Sequence, residues 1–182
     1  TIATSTEIYD YLRMIYARIG RTYSPITGQE VKCSTATDVL DYIYEEGASA
    51  AYILADLNWN AREDKVELML QLKEEGFARL YGQQGAVRIE DVMKLAQTGE
   101  YPEELYLLVD RLRLPSSDED LRTRLHSSIE TAFDKGNGTV YVRKEFKDGE
   151  PETKQFINRF EADGMKFSKP DEYLFSFNSP LG

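Results

Sequence analysis

Adjacent carboxylates at Glu74-Glu75, Glu103-Glu104 and Asp118-Glu119-Asp120 are the groups whose type and spacing could carry acid–base chemistry. They fall at the ends of helical patterns or at the entrance to an apolar run, where caps and solvated faces account for them. His126 is the one histidine and lies a step off the apolar stripe of its segment, so neither a catalytic nor a ligand role is expected of it. Cys33 is the one cysteine, which excludes an internal disulfide. One Cys and one His also leave a tetrahedral zinc site, with its roughly four ligands, unfilled. No GxxxxGK[ST] occurs, and Gly136-Asn137-Gly138 follows a helical pattern, reading as a helix end that leads into a strand. The sequence holds no catalytic constellation, so binding is the chemistry left to its residues.

The charge is divided along the chain. Of 182 residues, 22 are Lys or Arg and 32 are Asp or Glu, for a net charge of -10. Residues 35–120 carry 8 basic against 19 acidic side chains, and residues 35–60 carry no Lys or Arg at all. Such a stretch repels a phosphate backbone, which is bound chiefly through neutralising cations. A DNA-contacting role therefore falls to the two ends of the chain, to Arg13, Arg18 and Arg21 and to Arg143, Lys144 and Lys147. Aromatic residues make up 12%, too many large buriable side chains for a disordered segment. No apolar stretch reaches the roughly 18 residues that span a bilayer, and no signal peptide is legible, so a cytoplasmic location without a membrane is expected. Thr1 in place of an initiator Met, and a turn-like Pro180-Leu181-Gly182, are what a piece of a longer protein would show.

The elements that must position these groups follow from periodicity. Ile8, Tyr11, Leu12, Ile15, Tyr16 and Ile19 recur at three and four, predicting an amphipathic helix over 6–19 with Thr6 as N-cap and Gly20 as stop. Residues 21–34 read as a loop or short hairpin around Pro25 and Gly28. Thr35 or Thr37 can cap a helix through Val39, Leu40, Ile43 and Tyr44. SAAYILADL (49–57) reads as a buried strand, and 63–75 as a helix through Val66, Leu68, Met69, Leu70 and Leu72, stopped at Gly76. FARLY and AVRI flank Gly82-Gln83-Gln84-Gly85 as a hairpin. In ELYLLVDRLRL (104–114), strict alternation places Leu105, Leu107, Val109 and Arg111 on one face. Pro115 breaks that run. Ser116 to Asp120 then open a helix through Leu121, Leu125, Ile129, Ala132 and Phe133, and TVYVRKEF pairs with TKQFINRF across Asp148-Gly149. This order predicts an α+β fold, a mostly antiparallel sheet with helices packed on one face. The first helix and the final LFSFNSPLG are expected to belong to a neighbouring domain. Trp59, just past a strand end, reads either as loop packing or as an exposed anchor.

Three stretches together resemble UvrA, the ATPase family of the ABC excinuclease: TSTEIYDYLRMIYARIG (4–20), LLVDRLRL with LRTRLHSSIETAFDKGNGTVYV (107–114 and 121–142), and YLFSFNSPLG (173–182). The resemblance implies that 1–34 and 161–182 are pieces of a signature domain, and that 35–160 is an inserted domain that binds UvrB in nucleotide excision repair. It implies a parent that is a dimeric ABC-type ATPase and binds DNA, with ATP and zinc held elsewhere. The fragment itself is expected to be no enzyme and to carry no cofactor. Many family members carry a CxxC near 162–168, where this chain reads Ala162-Asp163-Gly164-Met165-Lys166-Phe167-Ser168. A CPxCG-like pattern is likewise absent at Tyr23-Ser24-Pro25-Ile26-Thr27-Gly28, so zinc is not expected here. The family's UvrB-contacting arginines match Arg79, in Gly76-Phe77-Ala78-Arg79, and Arg111, after Asp110. With Trp59 these are the expected partner contacts, with Arg111 pairing to Asp110 as the ordinary alternative.

Overall fold

The computed structural model describes residues 7–45, 47–114, 119–162 and 164–167. Thr6, Ser116 and the stretch 173–182, to which roles were assigned above, lie outside them. The chain divides into two compact units, one of Thr1–Cys33 with Arg159–Gly182 and the other Ser34–Asn158.

The smaller unit begins with helix α1 (Glu7–Ile19). Its apolar side chains are exposed, with Ile8 at 65% and Ile19 at 69%. A narrow turn follows, closed by a bridge between Tyr23 and Glu30. Within it the Ser24 hydroxyl accepts from the Ile26 and Thr27 N–H groups at 3.2 and 3.4 Å.

In the larger unit, Thr35 caps helix α2 (Ala36–Tyr44): its hydroxyl accepts from Asp38 N–H while Asp38 accepts from Thr35 N–H. This reciprocal box satisfies two N–H groups that the first helical turn leaves without partners, and it selects Thr35 over Thr37. Strand β1 (Ala48–Asp56) then leads through a 3-10 turn at Trp59–Ala61 into α3 (Lys65–Glu74), where Leu68, Met69 and Leu72 are buried but Val66 and Leu70 are exposed. The hairpin is β2 (Arg79–Gly82) and β3 (Gly85–Arg88), joined through Gln83-Gln84. A short helix α4 (Ile89–Ala96) follows, then β4 (Tyr106–Arg113), α5 (Glu119–Lys135), β5 (Thr139–Phe146) and β6 (Glu152–Ile157). The chain re-enters the smaller unit as the two-residue strands β7 (Glu161–Ala162) and β8 (Met165–Lys166).

The six strands form one antiparallel sheet in the order β3-β2-β4-β1-β5-β6. Alternation gives the sheet two faces of different character. One carries Ala51, Ile53, Ala55, Leu80, Leu107, Leu112, Val140 and Val142, buried against Val39 and Ile43 of α2, Met69 of α3, Val92 of α4, and Leu125 and Ile129 of α5. Helices therefore cover one face of an α+β sandwich, as the periodicity predicts. None of this unit's helices packs on the other face, where a small cluster forms around Leu54, Tyr81 and Leu108.

The alternation assigned to 104–114 fails at one residue. Ile53 pairs with Asp110 but the next residue, Leu54, pairs with Leu108, so Val109 is an extra residue in β4. A bulge of this kind reverses the facing of everything beyond it. Leu107 points to the helices, whereas Arg111, paired with Tyr52, points to the opposite face. Asp110 takes the helix-side position and accepts from Ser128 Oγ at 2.9 Å.

Candidate interaction face

The helix-free face is read off the register, strand by strand. Arg79 and Tyr81 of β2 sit opposite Arg88 and Ala86 of β3. Tyr81 neighbours Tyr106 of β4. Tyr52 of β1 lies between Arg111 of β4 and Arg143 of β5, and Ala50 between Arg113 and Glu145. With Tyr141 of β5, opposite Leu54, five arginines and four tyrosines share one surface, and both residue types are enriched, with Trp, at protein-binding hot spots.

The tyrosines hold one another in place. Tyr52 and Tyr81 have ring centroids 5.3 Å apart, and Tyr106 and Tyr141 are 5.0 Å apart in an edge-on arrangement. The Arg143 guanidinium lies over the Tyr81 ring, 5.9 Å from its centroid. Leu54, Tyr81, Tyr106, Tyr141, Arg143 and Thr153 line a hollow of about 310 Å3. The hydroxyls donate outward: Tyr52 to Glu145 at 3.2 Å, and Tyr106 to Glu104. Burial first, and these carboxylates second, push the Tyr52 and Tyr106 hydroxyls up from their ordinary range; burial with Asp56 and Glu104 does the same for Tyr141. The Tyr52 and Tyr106 hydroxyls are thus held as donors, while the Tyr141 hydroxyl accepts from Gln155 Nε2 at 3.1 Å.

The arginines of this larger unit sort by face. Those elsewhere are matched to carboxylates: Arg62 to Asp64 at 3.2 Å, Arg122 to Asp41 at 3.3 Å and Arg124 to Asp110 at 3.4 Å. Arg79, Arg88, Arg111, Arg113 and Arg143 have no carboxylate within 4.0 Å among the described residues. Arg111 engages Asp110 only through its backbone N–H, at 2.8 Å, and its side chain is exposed. Arg79 and Arg111 do share a face, but Arg79 lies about three residues further along the β2/β4 pair, roughly 10 Å away at the spacing of extended chain.

Other expected site residues fall elsewhere. Trp59, expected as a partner contact, is 3% exposed: its indole N–H donates to the Pro102 carbonyl at 2.9 Å and its ring packs edge-on against Tyr101. It anchors the 57–62 loop, because an indole buries a large apolar area once its N–H finds a partner. Lys144, grouped above with possible DNA contacts, is also 3% exposed. Its ammonium donates to the Tyr42 carbonyl at 3.0 Å, lies 3.9 Å from the Tyr42 ring centroid and sits 3.5 Å from Glu45. It thus supplies the cation that the last turn of α2 lacks. Arg13 pairs with Asp10 at 2.9 Å and Arg21 with Glu30 at 3.6 Å, while Arg18 is exposed in the last turn of α1. His126 is half-buried, 3.7 Å from Glu130 one turn on. Among the described residues no group of three or more His, Cys, Asp or Glu could hold a metal, and no helix is long and apolar enough to cross a membrane.

A sheet buried on one side and offering arginine and tyrosine on the other defines the chain as an α+β interaction domain. The chain belongs to the UvrA family: residues 34–145 match the family model described as the UvrA interaction domain. Along its whole length it is 32% identical to the UvrABC system protein A of Rickettsia typhi over 192 residues. It is 33% identical to that of Methanothermobacter thermautotrophicus over 186 residues and 31% identical to that of Staphylococcus epidermidis over 183. The chain spans about a fifth of the length of these relatives, 20%, 19% and 19% in turn.

Proposed function

We propose that Ser34–Asn158 is the domain through which a UvrA-type repair ATPase docks UvrB in nucleotide excision repair, with the open sheet face as the contact. The observation that supports this is the segregation of the arginines. In a chain of net charge -10, the arginines of Ser34–Asn158 that have no carboxylate within 4.0 Å among the described residues gather on the sheet face that this unit's helices leave uncovered. Arginines left without internal carboxylates are available to a partner's, and the acidic surroundings steer away competitors of the wrong charge. A DNA-contacting role has less support, because Lys144 is buried, Arg13 and Arg21 are ion-paired, and Glu104 and Glu145 interleave with the face. The test is size exclusion of the chain with purified UvrB, beside a titration with duplex DNA at low salt. Comigration with UvrB and negligible DNA binding are expected; DNA binding without comigration would overturn the reading.

The parent's ATPase activity, dimerisation, zinc and cytoplasmic location are proposed to reside in the whole protein, with no cofactor in this fragment. The chain is therefore expected to show no saturable ATP binding by calorimetry at micromolar concentration, lacking a phosphate loop. Metal analysis is expected to give less than one zinc per chain. Either saturable ATP binding or stoichiometric zinc in a tag-free preparation would contradict this.

A further inference from the structure

Arg88 has no place in the family resemblance, yet the β2–β3 register sets it directly opposite Arg79. Directly opposed residues of an antiparallel pair hold their Cβ atoms about 4.5–5.5 Å apart on the same face, and like charges there repel. Both side chains are exposed, and neither has a carboxylate within 4.0 Å among the described residues. The two arginines also line one depression of about 330 Å3 with Lys73 and Glu90, and those two are matched to each other at 3.1 Å. The free domain thus holds two adjacent cations with no carboxylate in ion-pair reach among the described residues.

Resting on the docking reading above, we infer that Arg79 and Arg88 form a two-arginine clasp for a single carboxylate of the docked partner, making Arg88 a contact residue equal to Arg79. Two planar guanidinium groups at this spacing match the two oxygens of one carboxylate, and its arrival removes the repulsion between them. The clasp opposes the stability of the free domain and favours the complex. That combination of opposite signs is not produced by an arginine with a merely structural role.

The experiment is titration of purified UvrB against Arg79→Gln, Arg88→Gln and the double variant, with thermal melting of each free chain. Arg88→Gln is expected to weaken binding about tenfold, to leave the melting temperature unchanged or raise it, and to be non-additive with Arg79→Gln. Binding unchanged by Arg88→Gln, while Arg111→Glu abolishes it, would overturn the clasp and leave the docking reading standing. If neither Arg88→Gln nor Arg111→Glu changes binding, both fail. A lowered melting temperature for Arg88→Gln would assign it a structural role and overturn the clasp.

Discussion

Replacing Arg79 or Arg111 by glutamate is expected to weaken UvrB binding by on the order of 2–4 kcal/mol, roughly 30- to 700-fold, without lowering the melting temperature. The two halves of this expectation have separate causes. Each substitution removes a charge-assisted contact and leaves a carboxylate facing the partner's own, so it costs more than truncation. Within the free domain nothing equivalent is lost, because both side chains are exposed and have no carboxylate within 4.0 Å among the described residues. At position 79 a glutamate would even face Arg88 across the hairpin, turning a repelling pair into an attracting one. Arg122→Glu is the matched control. It breaks the 3.3 Å pair with Asp41 on the helix side, a surface ion pair worth about 0–1 kcal/mol, and should leave UvrB affinity untouched. Isothermal titration with melting curves for all three variants decides the matter. Unchanged affinity in both sheet-face variants would place the contact on another surface.

The layering of the fold was readable because it rests on patterns that tertiary contacts rarely override. Val39, Leu40 and Ile43 recur at helical spacing behind a Thr–Asp capping box, and the short continuous apolar run from Ala51 to Ala55 reads as a buried strand. Helix α4 is not among the elements expected from periodicity, although Ile89, Val92, Met93 and Ala96 keep the helical period. At eight residues it is short, its N-cap is Arg88, which makes no capping bond, and its pattern merges with the preceding strand. The face of Arg111 could not be read at all. The bulge at Val109 is a property of the pairing with β1, and neither strand carries a glycine there to signal it. The open face was invisible for the same reason. Tyr52, Arg111 and Arg143 are far apart in the chain, and only the order β4-β1-β5 sets them side by side. Trp59 shows the converse limit: its sequence neighbours do not reveal that the Pro102 carbonyl waits 43 residues away.

The largest stability effect is expected at Gly136, where the helix over 119–135 turns into the central part of the sheet. The turn is closed by Gly136 N–H donating to the Ala132 carbonyl at 2.9 Å, Gly138 N–H to Phe133 at 2.6 Å, and Thr139 N–H to Gly136 at 2.9 Å. These bonds, with the pairing of β1 and β5, bring three backbone segments so near that a Cβ at 136 would meet Thr139 O at 2.0 Å, and Ala132 O and the Asp56 nitrogen at 3.0 Å. Backbone atoms cannot rotate aside as a side chain can, so relief requires moving α5, the start of β5 or the end of β1, each tied to the core. Gly136→Ala is therefore expected to destabilise the domain by about 3 kcal/mol or more, the upper end of overpacking costs. Gly76→Ala separates this from backbone preference. Gly76 has φ +92 with nothing within 4 Å of its added Cβ, so its substitution pays only for the left-handed conformation, about 1–2 kcal/mol. Urea unfolding of both variants, with equal slopes, gives the comparison directly. A Gly136→Ala midpoint at or above that of Gly76→Ala would mean that the three segments part without cost, and that the close approach does not hold the helix against the sheet.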